Sequence, residues 1–266
     1  MNKNKMSVII PSYKNPTCLD ICLNSAINGQ SLENEFIVVL DGFVDQYENL
    51  KEKYNNRVNF IDFADNQGMQ TALNVGVFHA NNDKILIVND DNVFPIGWDV
   101  ILIKDFKSDT IITPNQIERA ASIFSFVIAD FGDHRNFRYD EYINMEPSLR
   151  QDSLTEDGEI FPFLMMKRDY MAVGGFDTLY NSPFICDWDF FLKLELIGKK
   201  FLRSRKLNFY HFGSVSTKNS NEREKFNQSE REAFEIFEYK WGFSPIRNPN
   251  NSHGPCVKIK GVSYEL

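Results

Sequence analysis

Residues Lys84–Trp98 read KILIVNDDNVFPIGW. Lys84 to Val88 form a short apolar run of the length and β-branched character of a buried strand, and Asn89, Asp90 and Asp91 end it. A strand that stops in solvent needs only one polar residue. Two adjacent carboxylates concentrate negative charge at that end and suit a hard divalent cation, which takes oxygen ligands. On these residues alone a solvated Asn-Asp turn is an equal reading.

The neighbouring segments place this end in a fold. Ser7 to Ile10 is a β-branched run followed by the polar turn Pro11 to Pro16; Asn15 can cap a helix there, and Leu19, Cys22, Leu23 and Ala26 recur at helical spacing up to Gly29. FIVVL at Phe36 to Leu40 and VNFIDF at Val58 to Phe63 are further strands, and Met69 to Ala80 is a helix. Strands that are near-continuous apolar runs, alternating with helices, predict an α/β fold: a mostly parallel central sheet with helices on both faces. Ligands of such sheets sit outside the carboxyl ends of the strands. The polar clusters Ser12 to Asn15, Asp41, Asn66 and Asn89 to Asp91 all fall at those ends, so they are expected to converge on one crevice.

Beyond Thr110 to Thr113, read as a strand, Ala129 to Glu159 is a polar stretch with scattered aromatics, a long excursion suited to covering a substrate. FPFLMM from Phe161 returns to strand character, and Arg168 to Val173 is a short helix broken by Gly174 and Gly175. Asp187 to Gly198 has an amphipathic helical pattern with acids at its start. Phe201 to Arg203 and Leu207 to Phe212 read as two strands, and Asn221 to Trp241 as a charged helix before an irregular tail.

Thirty-seven acidic against twenty-nine basic side chains give a net charge of -8, the wrong sign for nonspecific grip on phosphate backbones, so nucleic acid is not an expected partner. The start, MNKNKMSVII, has only a short apolar run before Pro11, too short for a signal segment, and no later window reaches membrane-span length. The four cysteines, Cys18, Cys22, Cys186 and Cys256, form no CxxC pair and read as reduced thiols of a cytoplasmic protein.

The ordered series VIIPSYKN, VVLDG, NQGMQTALNVG, ILIVNDDNVFPIGW, GGFD, DWDFFLKL and YHFGSVS resembles the family 2 inverting glycosyltransferases of the GT-A fold, over roughly Val8 to Ser216. The resemblance implies a Rossmann-like nucleotide-binding half at about 1–113, an acceptor half at about 114–216, and a C-terminal helical extension and tail at 217–266. It implies a sugar moved from a nucleoside-diphosphate sugar to the hydroxyl of a glycan or glycoconjugate, with UDP favoured and dTDP or GDP open. A cytoplasmic location follows, peripheral at a membrane if the acceptor is lipid-linked.

Residue by residue, the family's Asp-X-Asp element falls on Asn89 and Asp91, which with His211 would hold Mn2+ or Mg2+; Asn89 is a neutral substitute for the usual aspartate. Asp90, between them, would face the ribose or donor sugar, since neighbouring strand residues point to opposite sides. Pro11, Ser12, Tyr13, Asp41, Asn66, Gly68 and Asn74 complete the nucleotide-sugar side, with Gly68 opening a helix whose N-terminal amides would face phosphate. Relatives often carry an acid where this chain has Leu40.

A single displacement needs a base to take the acceptor proton. The family's base corresponds to Asp187, in a Glu-Asp context that here reads Cys186-Asp187. Asp189 is assigned to acceptor binding or capping, Trp188 to a flat sugar-facing surface or to packing, and Gly174 and Gly175 to close approach of the acceptor. Two other classes stay open: a glycosyltransferase-like binding module without turnover, favoured by Asn89, Leu40 and Cys186, and a nucleotidyltransferase, disfavoured because PSYKNP is neither Gly-rich nor basic enough for a nucleotide loop.

Overall fold

In the computed structural model the apolar runs become ten strands and eight α-helices among the described residues, which are 4–119, 127–158, 160–183, 185–213 and 223–243. Ser214 to Ser216, Asn221, His253, Cys256 and the tail after residue 243 lie outside them. In chain order the elements are β1 (Ser7–Ser12), α1 (Pro16–Gly29), β2 (Glu35–Asp41), α2 (Glu48–Tyr54), β3 (Asn59–Phe63), α3 (Met69–His79), β4 (Lys84–Ile87), β5 (Asn92–Val93) and α4 (Trp98–Asp105). They continue with β6 (Thr110–Glu118), β7 (Val127–Ile128), α5 (Tyr139–Met145), β8 (Leu154–Thr155), β9 (Phe163–Met166), α6 (Lys167–Ala172), α7 (Cys186–Leu196), β10 (Lys200–His211) and α8 (Arg223–Trp241).

One sheet runs in the order β3-β2-β1-β4-β9-β6-β10-β5, with β7 beside β6 and β8 beside β10. The pairs β1 with β2, β1 with β4, β2 with β3 and β6 with β10 are parallel; β9 runs against both β4 and β6, and β5 against β10. The expected mostly parallel sheet is therefore present.

Alternation along each strand sorts the core into two layers. Val8, Ile10, Val38, Leu40 and Leu86 are buried with Leu19, Leu23 and Trp98 of α1 and α4 on one face. Ile9, Ile37, Ile85 and Ile87 are buried with Leu73 and Val77 of α3, Phe190 and Phe191 of α7, and Ala233 and Phe237 of α8 on the other. Each fully buried aliphatic side chain of this kind contributes about 1.5–3 kcal/mol. The C-terminal helix α8 is thus packed into the same core as α7.

Several local expectations change. Trp98–Asp105 is a helix whose apolar run the sequence pattern did not separate from its surroundings. Trp98 is buried against Phe94 and Phe209, and its indole N–H donates to the Ala26 carbonyl at 3.0 Å. The strand expected at Thr110 to Thr113 continues to Glu118; there the buried Asn115 Nδ2 donates to Asn208 Oδ1 of β10 at 2.7 Å, and Gln116 Nε2 donates to the Phe161 backbone carbonyl. The two strands expected at Phe201–Arg203 and Leu207–Phe212 are one, β10, with a register shift between Ser204 and Asn208. At that irregularity the Asn208 N–H donates to the buried Glu146 carboxylate at 2.8 Å. Glu146 belongs to the polar excursion, which is ordered here: Phe131, Tyr142 and partly buried Phe137 pack on Tyr210 and Phe212.

Gly76 sets how closely α3 lies on the sheet. A Cβ there would stand 2.6 Å from Ile9 Cγ2 and 3.2 Å from Val39 Cγ2. Gly76→Ala gains about 1 kcal/mol of helix propensity but forces overpacking that typically costs about 1–3 kcal/mol. The expected outcome is a net loss, read as a lowered urea midpoint with an unchanged slope; a raised midpoint would show that the layer yields.

Candidate active site

The sheet order reverses at β1, which has β2 on one side and β4 on the other, and a crevice at the carboxyl ends of β1 and β4 is where such sheets hold ligands. Pairing of β1 with β4 ends at Ile9 and Ile87, whereas pairing with β2 continues to Ser12 and Leu40. Pro11, lacking an N–H, stands beyond the last β4 pairing, where a strand tolerates it.

Asp90 turns into the protein at this point. Its Oδ2 accepts a hydrogen bond from Ser12 Oγ at 2.6 Å and its Oδ1 one from Asn15 Nδ2 at 3.1 Å, and the residue is almost fully buried. The Tyr47 hydroxyl lies 3.1 Å from Ser12 Oγ and accepts the Asn15 backbone N–H at 2.9 Å. Burial, and then the neighbouring Asp91 charge, push the Asp90 carboxyl up to about 7. Two expectations are corrected. Ser12 and Asp90 meet each other instead of presenting both groups to a sugar, and Asn15 spends its side chain on Asp90, leaving α1 without a side-chain cap.

One residue later the chain points the other way. The Asp91 carbonyl accepts the Phe212 N–H at 3.1 Å, and antiparallel pairing of β5 with β10 sets His211 opposite Asn92. His211 Nε2 lies 3.4 Å from Asp91 Oδ2, and its Nδ1 lies 2.8 Å from Glu118 Oε1. Burial alone would lower the imidazole's pKa, but the Asp91 and Glu118 carboxylates on its two sides outweigh this and push it up to about 10. Asn89 contributes its backbone carbonyl, which accepts the Asn92 N–H at 3.4 Å and shapes the turn.

Asp91 and His211 are an oxygen and a nitrogen donor brought together from distant parts of the chain, and they fit a divalent cation. Glu118 on the far ring nitrogen is the carboxylate that orients a ligating histidine through its second nitrogen. Among the described residues no group of three or more His, Cys, Asp or Glu side chains is arranged to hold an ion. The donor set therefore suits an ion that takes its remaining ligands from phosphate oxygens, as Mg2+ commonly does. Glu118 was missed from the sequence because TPNQIE does not read as a buried strand; the polar residue at the carboxyl end of an apolar run was the available signal.

On the β2 side, Asp41 closes the loop before α3. Its carboxylate accepts the Gln67 N–H at 2.6 Å, the Gly68 N–H at 3.0 Å and Asn66 Nδ2 at 3.0 Å. Asn66 and Gly68 are thus gathered with Asp41 as expected, but the amides expected to face phosphate have a protein carboxylate. Tyr13 and Phe43 stand edge to face at 5.7 Å on the rim, with the Lys14 ammonium 4.2 Å from the Phe43 ring centre.

Asn74 departs from its expected place among the donor-binding residues. Its Oδ1 accepts from Tyr170 Oη at 2.6 Å and the Phe176 N–H at 2.9 Å, and its Nδ2 donates to the Phe176 carbonyl at 2.8 Å. Asn74 fixes the Gly174-Gly175 turn. Gly175, with φ 68°, has Asn74 Oδ1 2.4 Å from where a Cβ would stand, so the protein itself makes the close approach there; Gly174, with φ 77°, faces open space.

Asp187 begins α7 and is partly exposed, and its Oδ1 accepts the Trp188 N–H at 3.0 Å. Trp188 is buried against Phe234 of α8, so it is a packing residue. Asp189 is fully buried, bonded to Trp241 Nε1 at 2.8 Å and to the Lys240 ammonium at 2.7 Å, so it holds α8 and does not face an acceptor. Gln70, in the first turn of α3, donates to the Ser182 carbonyl, which ties the segment leading to Asp187 to the same rim as Asn66 and Gly68. Ile185, just before α7, adopts φ 65°, a left-handed conformation costing about 1–3 kcal/mol in a non-glycine residue.

An open, mostly parallel sheet covered on both faces, with an acid–imidazole pair at its switch point, is the GT-A architecture. Residues 7–173 match the model of the glycosyl transferase family 2, and the chain belongs to that family. It is 25% identical over 223 residues to a teichoic acid poly(glycerol phosphate) polymerase of Staphylococcus epidermidis, a match over 80% of this chain and 29% of that protein. It is 26% identical over 106 residues to a poly-beta-1,6-N-acetyl-D-glucosamine synthase of Staphylococcus aureus, a match over 39% of this chain and 26% of that one. The chain thus spans under a third of the length of these relatives.

Among solved structures, S. aureus TarS 1-349 in complex with UDP superposes with a TM-score of 0.58 at 17% identity, over 90% of this chain and 72% of that one. GalNAc-T7 with UDP, GalNAc and Mn2+ gives 0.59 at 15% identity, over 89% and 49%. Both likenesses are of fold. Among the described residues no helix is long and apolar enough to cross a membrane.

If Glu118 orients His211 toward an ion, Glu118→Ala should lower Mn2+ affinity about 10 to 100-fold while the fold stays intact. Isothermal titration of Mn2+ into both proteins measures this, and equal affinities would remove Glu118 from the site.

Proposed function

We propose that the protein transfers a sugar from a nucleoside-diphosphate sugar to an acceptor hydroxyl of a glycan or glycoconjugate by single displacement, with inversion at the anomeric carbon. The observation that carries this reading is the meeting of Asp91 with His211 at the carboxyl end of β4, in a chain of the glycosyl transferase family 2. UDP is the first nucleotide to test, since TarS and GalNAc-T7 were both crystallised with it.

Asp91 and His211 would hold Mn2+ or Mg2+. When bound, such a cation offsets the charge that develops on the departing diphosphate. The rim pair Tyr13 and Phe43, with Lys14 above, offers aromatic faces and a cation at the end of the sheet where a nucleobase and its phosphates would enter. Asp41, with Asn66 and Gly68, holds the β2 side of that entrance rigid. Asp90 is assigned to support: bonded to Ser12 and Asn15, it fixes the turn from which Asp91 projects.

Asp187 is the proposed base. It is a partly exposed carboxylate in the first turn of a helix whose preceding segment is tied to the donor-side rim through Gln70. It would take the proton from the acceptor hydroxyl as that oxygen attacks the anomeric carbon, so no covalent enzyme intermediate forms.

A binding module without turnover is the second reading. Two positions at which relatives carry acids are Leu40 and Cys186, and both are fully buried here. One measurement separates the readings: slow release of nucleoside diphosphate from a panel of nucleotide sugars with Mn2+, with and without chelator. Transfer by the unmodified protein should fall on the order of a hundredfold or more in Asp187→Asn and in Asp91→Ala. Full activity in Asp187→Asn would reject the base assignment, and nucleotide binding without release from any donor would favour the binding module.

A further inference from the structure

The segment that presents Asp187 starts under strain; within it Tyr180 Oη and Lys193 Nζ each lie 3.4 Å from the Asp189 carboxylate. Ile185 is left-handed, and α7 begins with no side-chain cap. A β-branched residue in that region persists only where its surroundings over-determine it. Helix α8 supplies much of that surrounding. Ser229 Oγ lies 3.3 Å from Ser182 Oγ, and Phe234 stands edge-on to Trp188 at 5.9 Å. Lys240 bridges Asp177 at 2.6 Å and Asp189 at 2.7 Å, and Trp241 donates its indole N–H to Asp189 at 2.8 Å. These contacts bracket residues 185–187 from both sides.

The direction of the tie matters. Two residues along a helix are about 200° apart around its axis. Fixing Asp189 against α8 therefore turns Asp187 away from α8, and Asp187 is indeed partly exposed while Asp189 is fully buried. Docking of α7 has apolar support of its own in Phe190, Phe191 and Leu194, all fully buried. A buried ion pair adds little net stability beside such contacts, whereas it does select one register and one rotation.

We propose that Lys240 and Trp241 are positioning residues, acting through Asp189 to fix the first turn of α7 and with it the direction of the Asp187 carboxylate. This rests on the assignment of Asp187 as base. It gives α8, which lies outside the stretch matched to the family, a part in the acceptor side of the site.

The test is hydrogen exchange on the full chain for the double variant K240Q/W241F, which keeps the side-chain bulk and removes the charge and the indole N–H. The expected result is at least tenfold faster exchange in residues 186–190, with β1 and β4 unchanged. In parallel, transfer kcat should fall about tenfold at unchanged donor KM, and K240R should retain most of it. Unchanged exchange at 186–190 would overturn the proposal. So would faster exchange spread equally over the sheet, which marks a general stabilising role. The exchange readout needs no turnover, so a chain that transfers no sugar defeats the proposed function and leaves positioning to be decided by exchange.

Discussion

Two residue pairs of antiparallel ladder, Val93 with Tyr210 and Asn92 with His211, bring together the two ends of this site. They join a turn after the fourth strand to the end of the tenth, more than a hundred residues later. Without them Asp91 would be one more acid at a strand end, and His211 a histidine leaving a sheet. With them an oxygen and a nitrogen donor stand 3.4 Å apart, and Glu118 is delivered to the ring's other nitrogen by the adjacent parallel strand β6. The remaining architecture protects that meeting. Ser12, Asn15 and Tyr47 lock the turn from below, and the aromatic cluster of Phe131, Phe137 and Tyr142 backs the end of β10.

Strands β1, β2 and β4 were legible because they are buried on both faces and read as near-continuous apolar runs. The convergence of Ser12, Asp41, Asn66 and Asp90–Asp91 at one sheet edge followed from that alone. Trp98–Asp105 was not legible as a helix, since its apolar run, Val100 to Ile103, is too short to show a period that separates strand from buried helix. β6 and β10 were cut short for the opposite reason. Their middles carry Asn115, Gln116 and Asn208, buried polar residues that local composition assigns to loops and whose side chains or backbone find tertiary partners.

The site residues divide along a physical line that no motif marks. Asp41, Asp90 and Asp189 were read as candidates for ligand contact, yet all three are buried and engaged by the protein's own donors. Asp99, never a candidate, does the same service, accepting the Ser31 and Leu32 N–H groups and Asn34 Nδ2. A buried carboxylate is costly unless paired, so each of these is strongly committed to one conformation of the loop it holds. Neighbouring acids take the opposite role because they face other partners: Asp91, also buried, turns from the Ser12–Asn15 side to His211, and Asp187 lies across the helix from Asp189.

That pairing of an acid held by protein donors with a neighbour that faces elsewhere recurs at Asp90–Asp91 and Asp189–Asp187, and it accounts for why neither could be assigned from its neighbours in sequence. The held member fixes the backbone, and its neighbour inherits its direction. On the donor side that acid is held by Ser12 and Asn15 from β1 and the start of α1, which belong to the first stretch of the fold. On the acceptor side it is held by Lys240 and Trp241, from the last described helix. Asp90 and Asp189 are therefore held by elements far apart in sequence. On the proposed positioning role, a change in α8 would reach Asp187 through Asp189, while the Asp91–His211 pair rests on contacts with β5, β6 and β10.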